Sequence, residues 1–373
     1  MGPAERCVDF GPSGQLWFPY LAKYAGFTHP ILFCISVADC LLGNKPLGKK
    51  AQYHLGETLV FINQRLSDNT TALHDSTIFV VLALIDFSAY LRDYKTAMVH
   101  LKGLGEMVRL RGGIDNFRYL PRLYTKLGRL DLIQALYSGN KPVFLVDTTS
   151  CPRISEDVDF WSAHGGTSLP QSAGNLGLKN EVLLAAFTDL RQLSEVLNTK
   201  TASCRRLDVA VFQARVCSIQ YRLLWLQGTL DDCLAECLRL AMLAFLATTF
   251  HVPLAVAQYP YLANHYRESC AAMGARNLEN LPLWFLMVGA LSVFGVEDAW
   301  LQERWRAEVP PQLAWDEARL QLRDIMWIDT IHNQPGERVF QILKCGRVEG
   351  AHRSTSRSKL WVGGWVGTTY ELY

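Results

Sequence analysis

The sequence predicts an all-α fold: a large multi-helix bundle or orthogonal helical array with few or no strands. Two observations predict it. Long apolar segments recur along the 373 residues with members three and four positions apart, the period of a helix with a buried face. Segments alternating with a period of two are rare. Only "KPVFLV" (141–146) and "LWVGGWV" (360–366) read as short strands. About ten helices with almost no sheet define an all-α class.

The elements follow in order. In 53–66, Leu55, Leu59, Ile62 and Leu66 form one stripe, expected to face the core. The run 78–91 is apolar on all sides, as a helix in the middle of a bundle is. Next comes "HLKGLGEMVRLRGGIDNF" (100–117). Met98, Leu101, Leu104 and Met107 or Val108 step by three and four, while Lys95, Lys102, Glu106 and Arg109 face elsewhere. Gly112 is placed to take the left-handed conformation that closes a helix, and Arg109 and Arg111 bring positive charge to its last turn. A phosphate loop is the weaker reading, because a phosphate cradle needs glycines before a helix rather than after it.

The stripe returns in 178–197 with Leu183, Phe187, Leu190 and Leu197. Helices are then expected over 209–227 and 230–250, parted by Gly228, and over 284–296 and 315–328. Between 147 and 177, Pro152, Pro170 and Gly165-Gly166 mark a long loop, or a disordered insertion between two helical halves. The expected organisation is a lead-in over 1–27, a helical domain over 28–343, and a tail over 344–373. The tail is basic up to Lys359 and apolar after it.

Composition excludes several classes. Hydrophobic residues make up 49% and charged residues 19%, a core-forming balance rather than a disordered one. The net charge of +2 argues against a surface that is one nucleic-acid footprint. Three apolar segments approach membrane length, but charge, histidine, proline or shortness makes each a buried helix, so no membrane partner is expected. The ten cysteines include no CxxC pair and lie mostly in apolar runs, where a free thiol acts as a small hydrophobe in a reducing compartment.

GxSxG, the P-loop, HExxH and GxGxxG do not occur. "AHGGTS" (163–168) has the look of an oxyanion segment, but no nucleophile elbow follows it. Cys233 and Cys237 stand one helical turn apart, with His251 further on, yet no second close pair completes a metal site. No cofactor and no metal are expected. Asp329 and His332 share a helix face, but no nucleophile accompanies them, so both are expected to be structural, with Pro335-Gly336 turning the chain out of the helix. Trp225, Trp284 and Trp327 either line an apolar ligand cavity or fill the core, and core filling is expected of at least two.

Five segments, in order between residues 28 and 340, carry a resemblance. In the first, His100, Gly103, Leu104, Met107, Arg111, Gly112 and Gly113 match the pattern of a helix ending in Arg-Gly-Gly. The second is 127–144, with Asp131 ahead of a Gly-x-x-Pro exit. "ECLRLAMLAFL" (236–246) and "LPLWFLMVGALSVFGVEDAWL" (281–301) are the third and fourth. The last, 322–340, carries Trp327, Ile328, Asp329, His332, Pro335 and Gly336. Together they resemble the fungal-specific transcription factor domain, the regulatory region that follows a binuclear zinc cluster in many fungal regulators. A cluster of that kind needs six cysteines within about 30 residues. This chain has neither that density nor the CxxC pairs.

The resemblance implies a regulator-like helical domain that binds a small-molecule effector or a transcriptional partner protein. It implies no specific DNA binding by the chain alone, a nuclear location with the cytoplasm as the alternative, and a homodimer among the expected states. The competing readings are an enzyme or small-molecule-binding protein of secondary metabolism on the same scaffold, and a ligand-free interaction scaffold. With no catalytic motif in view, the enzyme ranks below the other two.

Overall fold

A computed structural model describes residues 3–10, 27–43, 48–90, 93–144, 178–250, 259–272 and 280–345. The expected loop at 147–177, His251 and the tail beyond 345 lie outside the described residues. Thirteen α-helices account for almost all of the described secondary structure, so the chain is all-α.

In chain order they are α1 (Thr28–Gly43), α2 (Lys49–Leu66), α3 (Asp75–Tyr90), α4 (Tyr94–Leu110), α5 (Pro121–Ser138), α6 (Glu181–Ala202) and α7 (Val209–Trp225). There follow α8 (Cys233–Phe250), α9 (Pro260–Ala272), α10 (Leu281–Ser292), α11 (Ala299–Glu308), α12 (Trp315–Ile325) and α13 (Asp329–Cys345). The first four pack as neighbours: α1 on α2, α2 on α3, α3 on α4. The centre is α8, which meets α5, α6, α7, α9 and α10. Its apolar run from Leu240 to Ala247 is buried throughout, as expected of a helix surrounded by others. Beyond it, α10 carries α11, α12 and α13.

Among the described residues the strands are β1 (Val8–Asp9) and β2 (Leu207–Asp208), two residues each, paired in parallel with Val8 opposite Leu207. Neither was expected. Of the expected strand "KPVFLV", residues 141–144 are irregular; its remainder and 360–366 lie outside the described residues. Residues 3–10, grouped in the sequence with a lead-in, are built into the core. Ala4, Cys7 and Val8 are buried, and the Leu207 N–H donates to the Cys7 carbonyl at 2.9 Å.

The stripe on α6 holds: Leu183, Phe187, Leu190 and Leu197 are all buried. The one on α2 does not. Its buried face is Ala51, His54, Thr58 and Ile62, while Leu59 and Leu66 are exposed. The reason lies in the partners. His29 of α1 meets His54, with Nδ1 atoms 3.2 Å apart. Arg65 donates to Thr77 Oγ1 at 2.6 Å and Ser76 Oγ at 3.1 Å on α3. Polar groups on the neighbours make the polar side of α2 the better inner face.

Candidate functional site

The residues singled out in the sequence fall into two groups. The first is built on the end of α4. Gly112 has φ +86° and Gly113 φ +96°. The Gly113 N–H donates to the Val108 carbonyl and the Gly112 N–H to the Arg109 carbonyl, both at 2.9 Å. That pair of bonds is the Schellman closure of a helix. Asn116 donates to the Arg111 carbonyl at 2.6 Å and satisfies one more terminal acceptor.

The cap aims Arg111 at α3. Its guanidinium donates to the Leu73 carbonyl at 2.8 Å and to the Asp75 carboxylate at 2.7 Å, and it lies over the Phe117 ring at 4.8 Å. Tyr119 accepts from Arg111 at 2.8 Å and donates to Asp75 at 2.7 Å. Arg111 therefore ties the end of α4 to the start of α3 with charge-assisted bonds. His100 is half-buried, and that burial lowers its proton affinity against the opposing pull of Asp93.

Gly103 is exposed, and a Cβ there would meet nothing. The glycine that matters for packing is Gly105. It is buried, and a side chain on it would collide with Val143. Val143 is held in place by Asp131. This fully buried carboxylate of α5 accepts from the Val143 N–H at 2.6 Å, the Phe144 N–H at 3.0 Å and the Tyr221 hydroxyl at 2.7 Å. Burial pushes its pKa up to about 6, against the lowering effect of those three donors. Asp131 thus fixes the exit from α5 and couples it to α7 and, through Val143, to α4.

The second group surrounds the link between α12 and α13. Met326, Trp327 and Ile328 are non-helical and buried, so their backbone groups need partners from elsewhere. Trp284 Nε1 of α10 donates to the Met326 carbonyl at 2.7 Å. Asn198 of α6 donates its amide to the Trp327 carbonyl at 2.7 Å and accepts from the Asp329 N–H at 2.8 Å. His332 Nδ1 accepts from the Ile328 N–H at 3.0 Å. The ring proton therefore sits on Nε2, which faces Thr248 Oγ1 at 2.7 Å; that hydroxyl donates in turn to the Phe245 carbonyl at 2.6 Å. Burial pushes the His332 pKa down to about 3. Both ring nitrogens of this buried imidazole are engaged, so it holds the joint between α13, the 326–328 link and α8.

Asp329 opens α13, where negative charge suits the helix dipole, and pairs with Arg323 at 3.1 Å. Pro335 does not end the helix. It was expected to turn the chain out with Gly336, but α13 continues through both to Cys345. The buried side chains Val339, Phe340 and Leu343 beyond it keep the helix docked despite the proline. Gly336 makes the docking close: a Cβ there would stand 2.8 Å from the Trp327 ring and 3.0 Å from the Trp315 ring. Trp284 and Trp327 fill the core, as expected of two of the three tryptophans, whereas Trp225 is half exposed, with Lys141 5.3 Å from its ring centre.

Asn198, Thr248 and Gly105 are the contributors that sequence reasoning missed. The only local signal was Asn198 itself, a polar residue directly after the apolar stripe position Leu197. Among the described residues, no three histidine, cysteine or acidic side chains gather as a metal site, and no helix is long and apolar enough to cross a membrane. No family model, no curated protein and no solved structure matches the chain.

Proposed function

We propose that this chain is a transcription-regulator-like domain: an all-helical unit that binds a small-molecule effector or a transcriptional partner protein, acts in the nucleus, and has no specific DNA binding of its own. The observation that supports this reading best is how the motif residues are used. Arg111, Asp131, Asp329 and His332 each tie one helix to another or to the segment beside it. A domain whose polar motif groups join helices is suited to passing a change of packing from one face to another, rather than to turning over a substrate. The order of the five resembling segments supports the same reading.

Two measurements test it. In a gel shift at physiological salt, the purified chain gives no sequence-selective complex. Fused to an unrelated DNA-binding module, the chain raises or lowers a reporter driven by that module's site. A selective complex with the chain alone overturns the proposal, as does an abundant, folded fusion that leaves the reporter unchanged.

A further inference from the structure

Cys237 lies in the second turn of α8, and Cys270 lies near the C-terminal end of α9. They are 33 residues apart in sequence, yet their sulfurs stand 3.2 Å apart, closer than ordinary sulfur–sulfur van der Waals contact. Both side chains are buried. The helices around them are held. Tyr266, one turn before Cys270, donates to the Phe285 carbonyl at 3.0 Å and pins α9 against α10. Arg239, two residues after Cys237 on α8, donates to the Leu223 carbonyl of α7 at 3.1 Å. A disulfide needs its sulfurs about 2.05 Å apart, a small closure for two side chains already in contact.

We propose that Cys237 and Cys270 are a modification site, joined by a disulfide between α8 and α9 when the protein meets a hydroperoxide. One thiol, deprotonated, attacks the peroxide O–O bond. It becomes a sulfenic acid while the other oxygen leaves as water or, from an organic peroxide, as an alcohol. The second sulfur then attacks the sulfenic sulfur, forming the S–S bond and expelling hydroxide, which leaves as water with the remaining proton. The two sulfurs lose two electrons in all, and the peroxide gains them.

The surroundings set the pace. Burial, the contact with Cys270 and the neighbouring Glu236 disfavour the Cys237 thiolate, while Arg304 of α11 favours it. The thiolate fraction is therefore small and the reaction slow. Once formed, the bond fixes α9 onto the central helix of the fold. Cys233, one turn before Cys237 and only partly buried, is the competing thiol.

The test uses the full chain, reduced and then exposed to hydrogen peroxide. Free thiols are blocked in denaturant, and the protein is digested without reduction and mapped by mass spectrometry. The expected product is one linked peptide joining Cys237 to Cys270, lighter by two hydrogens than its free halves. It is split by a thiol reductant and accompanied by a higher melting temperature than that of the reduced protein. Cys237→Ser and Cys270→Ala, each with a cooperative melt when reduced, yield no linked peptide; if one variant fails to fold, the other carries the comparison. A link from Cys233 to either partner in place of this pair, or recovery of Cys237 and Cys270 as free thiols or sulfonic acids, overturns the proposal.

Discussion

Gly112 and Cys204 occupy the same position at the ends of two different helices. Each follows the C-cap in a left-handed conformation, with φ +86° and +55°. Each is followed by a residue whose N–H reaches back to the helix: Gly113 to the Val108 carbonyl, Arg205 to the Lys200 carbonyl. One closure uses the residue that suits it, and the other holds a side chain where L-residues are strained.

For Gly112→Val, the expected loss of stability is about 1–2 kcal/mol or more, because a β-branched side chain is forced into the left-handed region. The new side chain would also meet Asn116, which closes the cap. Chemical denaturation of the purified variant measures the loss. An unchanged midpoint would remove the capping account of the Arg-Gly-Gly segment.

The mirror experiment is Cys204→Gly. It relieves strain at an exposed site, against some added freedom in the unfolded chain, so a net gain of about 0.5–1 kcal/mol is expected. A destabilised variant would show that the Cys204 side chain contributes more than its backbone conformation costs.

Gly103 and Gly105 should respond in opposite directions. Gly103→Ala removes a poor helix former from an exposed, open position and should stabilise by roughly 0.5–1 kcal/mol. Gly105→Ala drives a methyl into Val143, which Asp131 holds by its N–H. Overpacking there should cost about 1–3 kcal/mol. Equal shifts in melting temperature would mean that Val143 does not rest on α4.

These pairs show what the sequence could and could not disclose. The face of α4 and its glycine stop were legible because both depend on neighbours within two turns. Gly103 and Gly105 look alike in a sequence, since only the arrival of Val143 separates them. Asn198 reads as one more polar residue on a helix, because the carbonyl it grips lies 129 residues away. Pro335-Gly336 carries the local signal of a stop, yet buried side chains on both sides of it override the signal. On α2 the apolar stripe was real in the sequence, but the polar partners on α1 and α3 were not visible there.

The opposing pH slopes that His332 and Asp131 contribute to stability should largely cancel between about pH 4 and pH 6. The His332 pKa is about 3 in the folded chain and about 6.5 when unfolded. Its contribution is complete above about pH 6.5 and is lost as pH falls toward 3. The Asp131 pKa is about 6 when folded and about 3.9 when unfolded. Its contribution is present below about pH 3.9 and is lost as pH rises through 6. Across the shared window, the unfolded chain binds one more proton at His332 and one fewer at Asp131, so the two slopes oppose each other. Replacing one residue should expose the other. His332→Gln should lose stability relative to the parent as pH rises from 4 to 6, and Asp131→Asn should gain it. Each relative slope should be at most about 1.4 kcal/mol per pH unit. Denaturation midpoints at several pH values supply both slopes, with the other carboxylates a common background. Two variants tilting the same way would show that one of these groups does not sit in the buried, hydrogen-bonded place described for it.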